Sequence, residues 1–261
     1  MLETMTEVLD SRLKPYKNAK ILLNFLRNDK QVNYLLEAAN TVAIQRLGYN
    51  DHGITHSIIT TFNAVKMLQL LNEGGITPNL PKESRLAKFE DSLEIVIAAA
   101  YLHDIGNAVM RGEHELFSLI LAKDILNRFY EKTTPLNERK KAMILEGIIC
   151  HMGNPAWPPT SLEAKIIPVA DACDMQEGRA RIPYSLGKKD IHGLSALAIK
   201  KVRVKEGKKK SLQIYIEMDS SAGIFQIEEL LLKKIKAASF ESYVEITANI
   251  LSRKEVITYL D

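Results

Sequence analysis

The chain has 261 residues, 46% of them apolar and 26% charged, with a net charge of +3. This describes a globular protein long enough for one substantial core and a smaller appended unit. The longest apolar run, near residue 95, is far too short for a membrane span. Two unpaired cysteines exclude a disulfide scaffold, and the acidic N-terminus lacks the order of a secretory signal, so a cytoplasmic location is expected.

From residue 18 to about 178 the apolar spacing is helical. Leu35, Leu36, Ala39, Val42 and Ala43 form one stripe, and Ile58, Phe62, Val65, Leu68 and Leu71 another. Further helices are predicted over roughly 91–105, 113–131, 137–151 and 161–176, the third capped by Asn137. Gly48, Gly74-Gly75, Pro78, Pro81, Gly106, Gly112, Pro135 and Pro155 fall between these segments.

After Arg179 the period changes. Val202 and Val204 begin a strand, a Gly207-Lys-Lys-Lys210 turn follows, and Leu212, Ile214, Ile216 and Met218 alternate with polar neighbours. A helix carrying Ile224, Ile227, Leu230, Leu231 and Ile235 comes next, then a strand from Tyr243 to Ile250. The expected architecture is mostly α: a helical domain over 1–178 and a small α+β extension, strand–strand–helix–strand, over 179–261. This extension would pack on the helices or pair across a dimer, so a homo-oligomer is expected. Residues 179–210 hold eleven Lys or Arg against two acids, an excess of nine that leaves the remainder at −6. Such a segment suits an anionic substrate, whereas the turn lysines read as solvated.

Tyr101-Leu-His-Asp-Ile-Gly106 closes the run Ile95–Leu102. A carboxylate beside an imidazole at the end of so apolar a segment needs a cationic partner, and a metal ion is the usual one. His103 and Asp104 would reach one ion from the same helical turn, and Gly106 frees the backbone beyond them. Asp171 follows a second apolar run, and His56 opens a long helix with His52 on the same face. Nitrogen and oxygen ligands without thiolate suit Mn, Fe, Co, Ni or Zn, with Mg also admissible. Taken singly, His114 reads as a solvated helix start and His151 as a complement to a helix dipole. Taken with the others, they would hold a second ion, with Asp104 bridging the two. Lys66 and Lys123 read as solvated, and Trp157 as a loop anchor rather than a pocket wall.

His56, His103-Asp104 and Asp171 resemble the pattern of the HD superfamily of metal-dependent phosphohydrolases, across roughly residues 30–178. His114 and His151 resemble the two additional histidines of the bimetallic branch that includes the HD-GYP phosphodiesterases. His151-Met-Gly-Asn-Pro and Lys165–Asp174 echo the later part of that motif. The GYP triplet is missing, so cleavage of cyclic-di-GMP is not implied. Gly178-Arg-Ala-Arg-Ile-Pro, Asp190-Ile-His-Gly-Leu-Ser-Ala and Ser221–Gln226 resemble an archaeal-type subgroup.

The resemblance implies an HD-type helical bundle holding one or two divalent cations. Its activity would be hydrolysis of a phosphomonoester or phosphodiester, of a nucleotide, by a metal-activated hydroxide. Asp104 and Asp171 would hold the attacking water as well as metal. Arg179 and Arg181 would bind phosphate oxygens, and His52 or His192 would protonate the leaving oxygen. Two other readings remain. One is a catalytically silent HD-fold protein that binds metal or nucleotide. The other is a nucleic-acid enzyme, disfavoured because Tyr184 and Tyr215 do not interleave with the basic residues.

Overall fold

The structure, a computed structural model, describes residues 2–176 and 191–260. Its first part is helical: α1 (Leu2–Arg12), α2 (Lys17–Asn28), α3 (Lys30–Asn40), α4 (Ile54–Glu73), α5 (Asn79–Glu83), α6 (Phe89–Leu102), α7 (His114–Phe129), α8 (Pro135–Cys150) and α9 (Leu162–Ala172). The apolar run noted in the sequence lies in α6, whose residues from Ser92 to Leu102 are all buried. A helix apolar on every side belongs at the centre of a bundle. α6 accordingly packs against α2, α4, α8 and α9. Each fully buried Leu or Ile there contributes about 1.5–3 kcal/mol relative to exposure.

The predicted helices are present, with shifted ends. α8 begins at Pro135 rather than 137, because Thr134 is its cap and accepts the Asn137 N–H at 3.2 Å. Asn137 is therefore the capped residue rather than the cap. α1 goes beyond the expected helical span; its Leu9, with Leu13 just past its end, is fully buried. Among the described residues, no helix is long and apolar enough to cross a membrane.

The second part opens with α10 (Ile191–Ala198), which the sequence pattern did not reveal, and continues into β1 (Ile199–Glu206) and β2 (Leu212–Met218). A helical segment over residues 224–237, here α11, leads to β3 (Val244–Ile250) and β4 (Glu255–Tyr259). The expected strand–strand–helix–strand order holds, with β4 as an added edge strand. The sheet order is β1-β2-β3-β4, antiparallel except between β2 and β3. That parallel pair requires a crossover, and α11 supplies it. Leu212, Ile214, Ile216 and Met218 are fully buried, as their alternation predicts. In the lysine turn, the Glu245 carboxylate accepts the Lys208 and Lys209 N–H groups at 2.9 and 3.0 Å. β1 and β2 pack on α4 and α11 packs on α9, so one hydrophobic cluster runs through helices and sheet alike.

Candidate metal centre

Five helix ends deliver the site. His103 is the C-cap of α6 and His151 the C-cap of α8, while Asp171 lies in the last turn of α9. His56 lies in the first turn of α4, and His114 is the first residue of α7. Three helix C-termini carry partial negative charge toward this place, which favours a cation there. Asp104 lies beyond α6 at φ −106°, ψ 0°, in the sparsely populated bridge region. The doublet is therefore split across a helix end, and does not lie in one helical turn as its sequence suggested. Gly106 is required by close approach: a Cβ there would stand 2.1 Å from the His114 carbonyl oxygen and 2.4 Å from the Ser118 nitrogen. His52 lies in the loop before α4 rather than on its face, tied to α3 by its N–H donating to Asn40 Oδ1 at 3.2 Å.

The six residues singled out as metal ligands converge in two groups around Asp104. Asp104 Oδ2 lies 3.3 Å from both His56 Nε2 and His103 Nε2. Asp171 Oδ1 closes this group, at 3.1 Å from His56 Nε2 and 3.8 Å from His103 Nε2. The other oxygen, Asp104 Oδ1, lies 3.1 Å from His114 Nε2 and 3.6 Å from His151 Nε2. All six residues are buried.

The hydrogen bonds behind the rings fix which nitrogen faces inward. His103 Nδ1 meets the Ala100 carbonyl oxygen at 2.8 Å, His151 Nδ1 that of Ile148 at 2.7 Å, and His114 Nδ1 that of Arg111 at 3.1 Å. Each acceptor is three residues back along the chain. His56 Nδ1 lies 2.7 Å from Asp174 Oδ2. Oxygens of this kind only accept, so each Nδ1 carries the proton and each Nε2 presents a lone pair to the centre. Yet His56 Nε2 and His103 Nε2 are 3.1 Å apart, and so are His114 Nε2 and His151 Nε2. Two lone pairs cannot bond each other; each pair needs a shared proton or a cation. The donor set, imidazole nitrogen and carboxylate oxygen with outer hydrogen bonds in place, fits a divalent ion.

The HD domain family model matches residues 53–176, the stretch that holds all six of these residues. The chain belongs to the HD superfamily. It is also 41% identical over 241 residues, 91% of each chain, to "Uncharacterized protein MJ1020" of Methanocaldococcus jannaschii. No solved structure matches it.

The buried carboxylates and imidazoles of the HD centre shift one another's protonation. Burial works against ionisation of Asp104, but His103 and His52 outweigh it and hold the carboxyl well below its usual range. Burial likewise opposes ionisation of Asp171, and Lys234 with His103 and His56 overcomes it. His103 is pushed upward despite complete burial, because Asp104 and Asp171 surround it. His151, which has less help from Asp104, is driven by burial down to about 3.

A cavity of about 390 Å³ opens onto the HD centre. His52 stands on its wall with Nδ1 2.7 Å from Asp104 Oδ2. Arg111 lies at the His114 side, donating to Asn107 Oδ1 at 3.0 Å and packing 5.7 Å from the Tyr49 ring. Arg111 and Tyr49 escaped the sequence reading, as did three residues that touch the proposed ligands. Asp174, three positions past Asp171, orients His56; a second acid at the same helix end was the available signal. Asn107 donates to Asp104 Oδ1 at 3.0 Å. Lys234, from α11, donates to Asp171 Oδ2.

Arg179 and Arg181 lie outside the described residues, and of His192 only its place in α10 is described. Lys123 is exposed as expected. Lys66 is half-buried, and burial, Arg12 and Arg203 lower its pKa, so it is not the fully solvated residue its helix position suggested. Trp157 is half-buried and absent from the described residues lining the cavity.

Proposed function

We propose that this HD protein hydrolyses a phosphate ester of a small nucleotide-like molecule, with a diester favoured over a monoester. One observation carries the reading: four imidazole Nε2 atoms and two carboxylates converge, in two groups sharing Asp104, at the floor of an open cavity. His56, His103, Asp104 and Asp171 would hold one divalent cation, and Asp104, His114 and His151 a second. When bound, such ions supply positive charge for a phosphoryl oxygen and lower the pKa of water toward about 7.

The side chains around this centre have separable tasks. Asp104 offers one oxygen to each group, so it sets their spacing. His52, its Nδ1 proton engaged by Asp104, would deliver a proton from its other nitrogen to the leaving oxygen. Arg111, braced by Asn107 and Tyr49, would hold a phosphoryl oxygen at the His114 side. Tyr49, Met152 and Met175 give the cavity an apolar wall suited to the uncharged part of a nucleotide. Arg179 and Arg181 keep the phosphate-holding role, and His192 the role of alternative proton donor, proposed from the sequence.

The test begins with elemental analysis of protein loaded with Mn, Fe, Co, Ni, Zn or Mg. A screen across nucleotides, cyclic dinucleotides and sugar phosphates follows. One or two ions per chain and turnover of at least one ester class are expected. A chain that keeps its ions yet cleaves none of these is the catalytically silent binder. Binding of RNA or DNA that collapses steeply with salt would instead favour a nucleic-acid substrate.

A further inference from the structure

The HD family match ends at residue 176, yet the cavity does not: Ala196 of α10 and Gln226, Leu230 and Lys234 of α11 also line it. Those three residues of α11 are four apart, so they form one stripe along the helix. The neighbouring stripe, Ile227, Leu231 and Ile235, is fully buried in the core. α11 is therefore anchored by one stripe and presents the next to the cavity. Leu230, grouped with the core residues by its spacing, is 38% exposed. A π-helical turn, Ile227–Leu231, sits between Gln226 and Lys234; such turns recur at functional sites.

Two contacts hold this helix in place. Gln226 Nε2 donates to the buried Ser195 Oγ at 2.7 Å, joining α11 to α10. Gly153, at φ +72°, lets α11 press on the turn after His151: a Cβ there would lie 3.2 Å from Ala237 Cβ and 3.8 Å from Lys234 Cγ. α11 is thereby seated against the end of the helix that carries a ligand histidine.

Lys234 ends this stripe beside Asp171, with only 16% of its side chain accessible. Asp171 Oδ1 faces the histidines, and Oδ2 accepts from Lys234. That uses one of the ammonium's three N–H donors, and the side chain still lines the cavity. Arg111 lines it too, on the His114 side, so a cation stands by each of the two ligand groups.

We propose that Lys234, supplied by the C-terminal extension, is a substrate-binding residue that holds a phosphoryl oxygen of the ester next to Asp171. The ligand class is a phosphate mono- or diester, and the extension is part of the active site. The proposal rests on the phosphohydrolase reading above. A divalent ion held by Asp171 would take up negative charge that Lys234 otherwise balances, leaving the ammonium to an anionic ligand.

The test uses inorganic phosphate as the probe, titrated calorimetrically into metal-loaded full-length protein, with metal per chain measured in parallel. Lys234→Met is expected to keep its metal and bind phosphate about 10- to 100-fold more weakly, the loss of one charge-assisted hydrogen bond. Lys234→Arg is expected to restore most of that affinity. With a cleavable ester in hand, Lys234→Met raises KM more than it lowers kcat. Lys234→Gln, which retains a donor for Asp171, makes the same comparison should the methionine variant not fold. Unchanged phosphate affinity with full metal content overturns the proposal. So does loss of metal with unchanged phosphate affinity per loaded chain, since Lys234 then serves only Asp171. Wild-type protein that binds phosphate through Lys234 but hydrolyses no ester refutes the hydrolase reading and leaves the Lys234 site standing.

Discussion

The helices over 53–176 and the extension over 191–260 reach the same cavity by different means. The helices contribute through their ends, where a chain leaving a buried helix can turn a side chain inward and brace it on the last carbonyls. His103 and His151 do this with identical i−3 bonds. The extension contributes from the flank of a helix, through residues beside its core stripe. End-borne side chains are fixed by backbone geometry, whereas a flank-borne lysine is placed only by the docking of its helix. Changes in the first region should therefore act on the ions, and changes in the second on the substrate.

The sharpest break is Asp104→Ala. Each proposed ligand group loses the oxygen that Asp104 offers it, so metal content should fall to background and turnover by about a thousandfold or more. Elemental analysis beside kinetics checks this, and retained metal with full turnover would reject the site. Next is Asp174→Asn, which leaves all six proposed ligands in place but weakens the acceptor of the His56 Nδ1 proton. Loss of such an outer partner weakens metal affinity by about 10- to 100-fold. Metal titration should show this, with phosphate affinity of the loaded protein unchanged.

Gly153→Val attacks the other side of the comparison. It forces a β-branched residue to φ +72° and into Ala237. A loss of about 1–3 kcal/mol in urea unfolding is expected, with weaker phosphate binding but unaltered metal stoichiometry. A variant that instead loses metal would show that the extension governs the ligands themselves.

The smallest effect lies away from both. Glu146 accepts from Thr160 N and Oγ1, each at 2.6 Å, and from Ser161 N and Oγ at 3.1 and 2.7 Å. Burial raises its pKa, but the bonds from Ser161 and Thr160 prevail and lower it from 4.5. A lowered folded-state pKa gives stability present above the ordinary carboxylate range and lost as pH falls through the folded value. Urea midpoints of Glu146→Gln should lie lower at neutral pH, by about 1–2 kcal/mol, and converge on the wild type in acid.

His103, Asp104 and Asp171 were legible because each breaks a local rule: a charged or imidazole group ends an apolar run, as in Ile95–Asp104 and Ile166–Asp171, whereas His56, His114 and His151 gained meaning only beside them. Lys234 breaks none. A lysine on an amphipathic helix reads as solvated, and only the seating of α11 on Gly153 turns it toward Asp171. α10 escaped because its eight residues, Ile191–Ala198, are too few to show a period. β4 escaped because Glu255–Tyr259 is short and lies on the sheet edge, with its Val256 exposed. His52 was placed on the face of α4 and lies in the loop before it, since nothing in Asn50-Asp-His-Gly53 fixes where α4 begins.

Gly106 bears on all of this. With bare backbone pressed against the start of α7, position 106 works as a fixed spacer between the two histidine pairs. Even a methyl group there would have to lever α7 outward, carrying His114 with it and stretching the bridge that Asp104 spans. The gap between the pairs is therefore not something that gradual side-chain change can retune; it is a hard stop, set where two main chains touch.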